Sequence, residues 1–227
     1  MKKKFKVQRY VMLSSFCRNI LYLAVNTTAF AMEHDLILKN VAKHIALTKE
    51  ETAFFAALLQ QQDVTKKEFI LKEGQLCKSI SYVHSGTLRA YYTDKEGRES
   101  TIMFAITDWW ITDMYCFINQ QPAMLNIIAI ENSSILQLSK NNFELLCIEV
   151  PKFERFFRII MQNAYIREQL RVIQNLSLTA EERYHSFIEK YPQIVQQVTQ
   201  KQIASYLGIT PEFLSTIRAN KSKKIIS

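Results

Sequence analysis

Between Val198 and Asn220, in VTQKQIASYLGITPEFLSTIRAN, side chains that donate and accept hydrogen bonds alternate with apolar ones at helical spacing. Chemistry of that kind is recognition rather than bond breaking. Thr199, Gln200 and Lys201 stand where a helix would begin, and backbone N–H groups at a helix start favour a phosphate. Ser215 and Thr216 fall off the apolar face, where they can reach a base edge or a phosphate, and Arg218 and Lys221 are cations that could anchor phosphates. The residue types that break bonds are scattered instead. Cys17, Cys77, Cys116 and Cys147 show no C-x-x-C spacing, and His34, His44, His84 and His185 are isolated from one another. That pattern supports neither an iron–sulfur nor a zinc site, and no metal or cofactor is expected. Such cysteines read as small buried hydrophobes in a reducing compartment.

The elements that must hold the polar set can be read from the same stretch. Ile203, Leu207, Ile209, Leu214 and Ile217 supply apolar faces, and Ala204 is small where two helices would cross closely. Gly208 can take the left-handed turn, Thr210 can cap the next helix, and Pro211 suits its first position. The spacing predicts a helix-turn-helix, against the blander reading of an ordinary tight helical hairpin. Charge agrees with contact to phosphate only at the chain ends. The net +8 divides into +6 over residues 1–31, −2 over residues 32–194 and +4 from Val195 onward.

Residues 1–31 have a basic start, an apolar middle interrupted by Arg18 and Asn19, and a terminal Ala-Phe-Ala. Three readings compete: an export signal, a basic amphipathic arm, or translated sequence upstream of a start at Met32. The third fits best, because an ordinary globular pattern begins there. The apolar run is too short and broken to span a membrane. Leu36, Ile37, Val41 and Ile45 then predict a helix, and a capping box at Thr48–Glu51 opens a second one with Phe54, Phe55, Leu58 and Leu59 on one face. The period changes in EFILKEGQ, in the stretch from Ser79 to Ile106, and in LNIIAIENSSILQLSK. These are short runs rich in β-branched and aromatic residues, with turns at Gly74, Gly86 and Gly97. They predict a β-sandwich or barrel. After Ser139 helices return. Pro151 opens a long one whose stripe of Phe153, Phe156, Phe157, Ile160, Met161, Ala164, Ile166, Leu170 and Ile173 is either a dimer seam or burial against the barrel. A second capping box, Thr179–Glu182, starts a helix ending at Tyr191-Pro192.

In this order, the helical lead-in, glycine-punctuated β-barrel, long helix and terminal helix-turn-helix resemble the Crp/Fnr family of bacterial transcription regulators, in the variant common in Bacteroidetes. The resemblance covers roughly Met32 to Lys224. It implies an α+β fold: a double-stranded β-helix barrel of cyclic-nucleotide-binding type, a long dimerisation helix and a C-terminal helix-turn-helix domain. The implied boundaries are 1–31 for the extension, 32–150 for the sensor barrel, 151–176 for the dimerisation helix and 177–227 for the DNA-binding domain. A full wing after the recognition helix is expected to be absent or truncated.

The family's phosphate-binding cassette carries a Gly-Glu pair followed ten residues later by an arginine. Here Thr112-Asp113 and Ala123 take those places. A cyclic phosphate needs a cation or converging N–H groups, so the departure argues against cAMP. Trp109, Trp110, Tyr115 and Phe117, with Asp113, Ala123 and Asn126, are either the lining of a pocket for some other effector or barrel core. The family's three base-reading positions fall on Pro211, Glu212 and Thr216. Only Glu212 keeps its type, as an acceptor for cytosine N4. The resemblance therefore implies a cytoplasmic, homodimeric regulator that binds double-stranded DNA, with an unknown small-molecule effector and no membrane partner or enzymatic activity. An effector-binding module with a weak DNA head is the alternative, and a cupin-type enzyme ranks last because the barrel offers only His84.

Overall fold

The computed structural model describes residues 34–226, with side chains to Asn220. The extension and the proposed start at Met32 lie outside the described residues. Two short helices lead in: α1 (Asp35–Ala42), which buries Ile37 and Val41, and α2 (Lys49–Ala57), which buries Phe55. The predicted capping box at Thr48 forms in full, Glu51 N–H on the Thr48 hydroxyl and Thr48 N–H on the Glu51 carboxylate. α2 stops sooner than its apolar period suggests. Leu58 is its C-cap and Leu59 already begins β1 (Leu59–Val64).

Seven further strands follow: β2 (Phe69–Leu71), β3 (Ser79–Ser85), β4 (Thr87–Thr93), β5 (Glu99–Ile106), β6 (Trp110–Ile111), β7 (Asn126–Ala129) and β8 (Ser133–Ser139), with a short helix α3 (Met114–Asn119) after β6. They form two antiparallel sheets of order β1-β8-β3-β6 and β2-β7-β4-β5. Between them lies a core that includes Tyr82, Val83, Leu88, Ala105, Ile135 and Leu136. β1, LQQQDV, was not legible as a strand. It is a sheet edge, paired only to β8, with Gln60 and Gln61 exposed and Gln62 half-buried. Gly86 alone joins β3 to β4 at φ 93°, and a Cβ there would sit 2.2 Å from the Ser133 hydroxyl. A side chain at that corner would be both strained and overpacked.

The helical half comprises α4 (Lys140–Glu149), α5 (Lys152–Ser177), α6 (Ala180–Lys190), α7 (Pro192–Gln197), α8 (Gln200–Leu207) and α9 (Pro211–Ile226). The apolar stripe of α5 divides in two. In its first half Phe153, Phe156 and Phe157 are buried in the barrel core, Phe153 against Phe55 at 4.7 Å and Phe156 and Phe157 each 6.0 Å from Trp110. In its second half Tyr165, Ile166, Leu170, Val172, Ile173 and Leu176 stay exposed, Leu176 at 84%.

A second core joins the barrel to the C-terminal helices. Phe104 and Ile106 of β5 pack with Tyr184 and Phe187 of α6, Ile194 of α7, Ile203, Ala204 and Leu207 of α8, and Leu214 and Ile217 of α9. α7 was missed from sequence, although Pro192 at its first position is a start signal.

Candidate nucleic-acid interface and barrel site

α8 starts on Thr199, whose hydroxyl accepts from Gln202 N–H while the Gln202 side chain accepts from Thr199 N–H. This capping box lifts Thr199 and Lys201 into solvent at the helix start. α8 ends at Gly208, in the left-handed conformation at φ 68°, and the Gly208 and Ile209 N–H groups both donate to Ala204 O. Open space surrounds the position of a Gly208 Cβ, so glycine is needed there for its backbone alone. Thr210 then accepts from Phe213 N–H at 3.2 Å, and α9 begins at Pro211. Each local expectation for the turn is met.

With Leu214 and Ile217 buried, α9 turns Pro211, Glu212, Ser215, Thr216 and Arg218 outward. Thr216 spends its hydroxyl proton on Glu212 O at 3.2 Å, which leaves its oxygen as an acceptor. The side chain of Lys221 lies outside the described residues. Gln200 is half-buried, and its side-chain oxygen has no partner. Phe213, which sequence reasoning passed over, is half exposed beside Glu212 and adds an apolar contact to this face. Its helical phase, one residue off the Leu214/Ile217 face, was the available signal.

The head is not hung loosely from the barrel. Ser205 Oγ on α8 donates to Glu99 O at 2.6 Å and accepts from Thr101 N–H at 2.9 Å, both on β5. Arg89, buried on β4, pairs with Glu99 at 2.6 Å, donates to Thr101 Oγ1 at 2.8 Å and reaches Ser205 at 3.4 Å. The hydroxyl of Thr87 and the side-chain oxygen of Gln197 add another link. Tyr206, next to Ser205, lies against Phe187 and Phe104, and burial pushes its phenol up to about 12.

In the barrel, Asp113 is 2% exposed and is the N-cap of α3. Its carboxylate accepts from three backbone N–H groups: Cys116 at 3.1 Å, Met124 at 2.8 Å and Leu125 at 3.0 Å. Two of the three follow Ala123, so the converging donors that could cradle a phosphate already hold an anion. Ala123 is buried and exchanges backbone hydrogen bonds with Gly74 and Gln75. Asn126 accepts from Glu73 N–H and donates to Thr93. Trp110 donates to Asn40 and packs on Tyr82, Phe156 and Phe157, Phe117 is fully buried, and Tyr115 is turned out to solvent. The residues named for an effector pocket are therefore spread between core, turn and surface. Cys77, Cys116 and Cys147 are buried and unbridged; burial pushes up the thiols of Cys77 and Cys147, the latter to about 12. Among the described residues no group of three or more His, Cys, Asp or Glu is placed to hold a metal, and no helix is long and apolar enough to cross a membrane.

Comparison with known proteins agrees with this architecture. Residues 61–149 match the family model of the Cyclic nucleotide-binding domain. Electron transport regulator A of Shewanella oneidensis is 25% identical over 171 residues, which is 70% of this chain and 67% of that protein. The Anaerobic regulatory protein of Pasteurella multocida is 22% identical over 72% of this chain and 63% of its own length. The chain thus spans about two thirds of these relatives. Among solved structures, the c-di-GMP responsive global regulator CLP of Xanthomonas campestris superimposes with a TM-score of 0.66 at 11% identity, covering 78% of this chain and 93% of that one. A transcriptional regulator of the Crp/Fnr family from Eubacterium rectale gives 0.63 at 19% identity, covering 78% and 85%. By sequence over residues 61–149, and by fold over most of the described length, this chain is similar to the cyclic nucleotide-binding domain and to regulators of Crp/Fnr type.

Proposed function

We propose that this chain is a dimeric, sequence-specific DNA-binding transcription regulator of Crp/Fnr type, working in the cytoplasm, with a barrel that does not take cAMP. The observation that carries it is the α8–Gly208–α9 unit. Its crossing is buried through Ile203, Ala204, Leu207, Leu214 and Ile217, while Glu212, Phe213, Ser215 and Thr216 form an open face on the second helix. A helix so presented fits the major groove, with Glu212 accepting from cytosine N4 and Phe213 against a thymine methyl. The N–H groups at the start of α8, with Lys201, Arg218 and Lys221, supply phosphate contacts. The exposed second half of α5 supports the dimer, which would set two heads about 34 Å apart. The unit boundaries at 32, 151 and 177 belong to this proposal.

The test is a selection from random duplexes at physiological salt. Enrichment of a two-fold symmetric site is expected, with Glu212→Ala relaxing preference at one base pair per half-site by about tenfold. Salt-dependent binding with no sequence preference would instead favour an effector-binding module with a weak DNA head. Support for the second half of the proposal comes from Asp113. With its carboxylate on the Met124 and Leu125 N–H groups and no cation at Ala123, cAMP meets repulsion where it needs donors. Thermal scans should therefore show no rise in Tm with cAMP concentration; a concentration-dependent rise would refute it.

A further inference from the structure

The barrel nest is filled from within, yet an open surface groove lies elsewhere, where α5, α6 and α8 meet. Its charged lining is all of one sign: Arg167 and Arg171 from α5, Arg183 and Lys190 from α6. The Glu168 carboxylate lies 2.8 Å from Arg171 and 3.9 Å from Arg167. Arg183 donates its two terminal nitrogens to Leu178 O and Leu207 O, and its Nε is buried with no acceptor. Aromatic rings form the walls. Arg171 lies over Tyr206 at 5.2 Å and Lys190 over Tyr191 at 5.3 Å.

Arg167, Arg171 and Arg183, half-buried, and Lys190, exposed, line a concave surface on which Glu168 is paired with Arg171, an arrangement short of negative charge. Arg171 has committed its terminal nitrogens to Ile102 O and Glu168, and Arg183 its own to two carbonyls. The donors left for phosphate oxygens are those of Arg167, which lies over Trp109 at 5.3 Å, the ammonium of Lys190 and the buried Nε of Arg183. We propose that this groove binds a small phosphate-bearing ligand of diphosphate or nucleotide type. None of the four cations belongs to the open face of α9 or to the start of α8, which separates the groove from the proposed DNA contacts.

The groove is also placed to act on the head. Arg171 donates to Ile102 O of β5 at 3.1 Å while touching Tyr206 of α8, and Arg183 ties the end of α5 to the end of α8. An anion drawn to all of these favours the arrangement in which α5, the barrel edge and the head are held together. Binding stands apart from the DNA-reading proposal; the regulatory consequence rests on it.

The experiment is titration calorimetry of the full 227-residue chain with inorganic pyrophosphate at fixed ionic strength. Saturable binding of one pyrophosphate per chain is expected, weakened at least tenfold in Arg167→Gln/Lys190→Gln through loss of charge-assisted contacts. Lys190→Gln alone, at an exposed position, controls for folding by keeping the Tm of the parent. Non-saturable heat, or equal affinity in parent and double variant, overturns the proposal. So does a double variant that loses duplex affinity in the absence of pyrophosphate, since the groove would then be a DNA backbone contact. Pyrophosphate binding beside a failed DNA selection would keep the site and remove only its role in regulation. If both hold, pyrophosphate and duplex must alter each other's affinity by the same factor.

Discussion

Asp108 shows how much one side chain can hold together. It sits at φ 71° just before β6 and accepts from Tyr82 of β3 at 2.7 Å, Asn40 of α1 at 2.8 Å and Lys43 at 2.7 Å. Burial alone would raise its carboxyl, but hydrogen bonds from Lys43, Tyr82 and Asn40 outweigh it and hold the group below the ordinary carboxylate range. A lowered folded-state value stabilises the protein above the unfolded value, and that stability disappears as pH falls through the folded one. Asp108→Asn keeps a residue tolerant of positive φ, so its effect isolates the charge. Its Tm should lie a few degrees below the parent at neutral pH, with the gap closing below about pH 4. A gap independent of pH in thermal scans would show that shape, not charge, matters there.

Elements were legible where signals were local and obscure where neighbours decided. The three starts at Thr48, Thr179 and Thr210 could be read because a cap is written within four residues, and each forms. β1 could not, since its glutamines suit an edge strand only once β8 is beside them. The role of Asp113 was half legible. Its charge argued against a phosphate, but its hold on Met124 and Leu125 N–H depends on an eleven-residue return of the chain. The groove cations are spread from Arg167 to Lys190 with no motif at all. α5 makes the element-scale prediction. An apolar seam of Ile166 and Ile173, half exposed, and Leu176, exposed, costs solubility unless covered, and in the proposed dimer a second copy of α5 would cover it. Ile173→Lys should weaken self-association in sedimentation at least tenfold, since burying one such side chain is worth about 1.5–3 kcal/mol. An unchanged dimer would place the seam elsewhere.

At the scale of the molecule, the head and barrel share the core around Phe104 and Ile106, so motion of the head is motion of a packed surface. There is a cost to letting go. β5 is the last strand of its sheet, and its outer side is finished by Ser205, which uses Thr101 N–H and Glu99 O as a neighbouring strand would. A head that swings away bares that edge, and a bare edge is a template on which another chain can add a strand. Release and aggregation are then one event seen by two probes. Ser205→Leu, too large for its place against β5, should raise light scattering and thioflavin binding well below the global Tm while α6 to α9 stay helical.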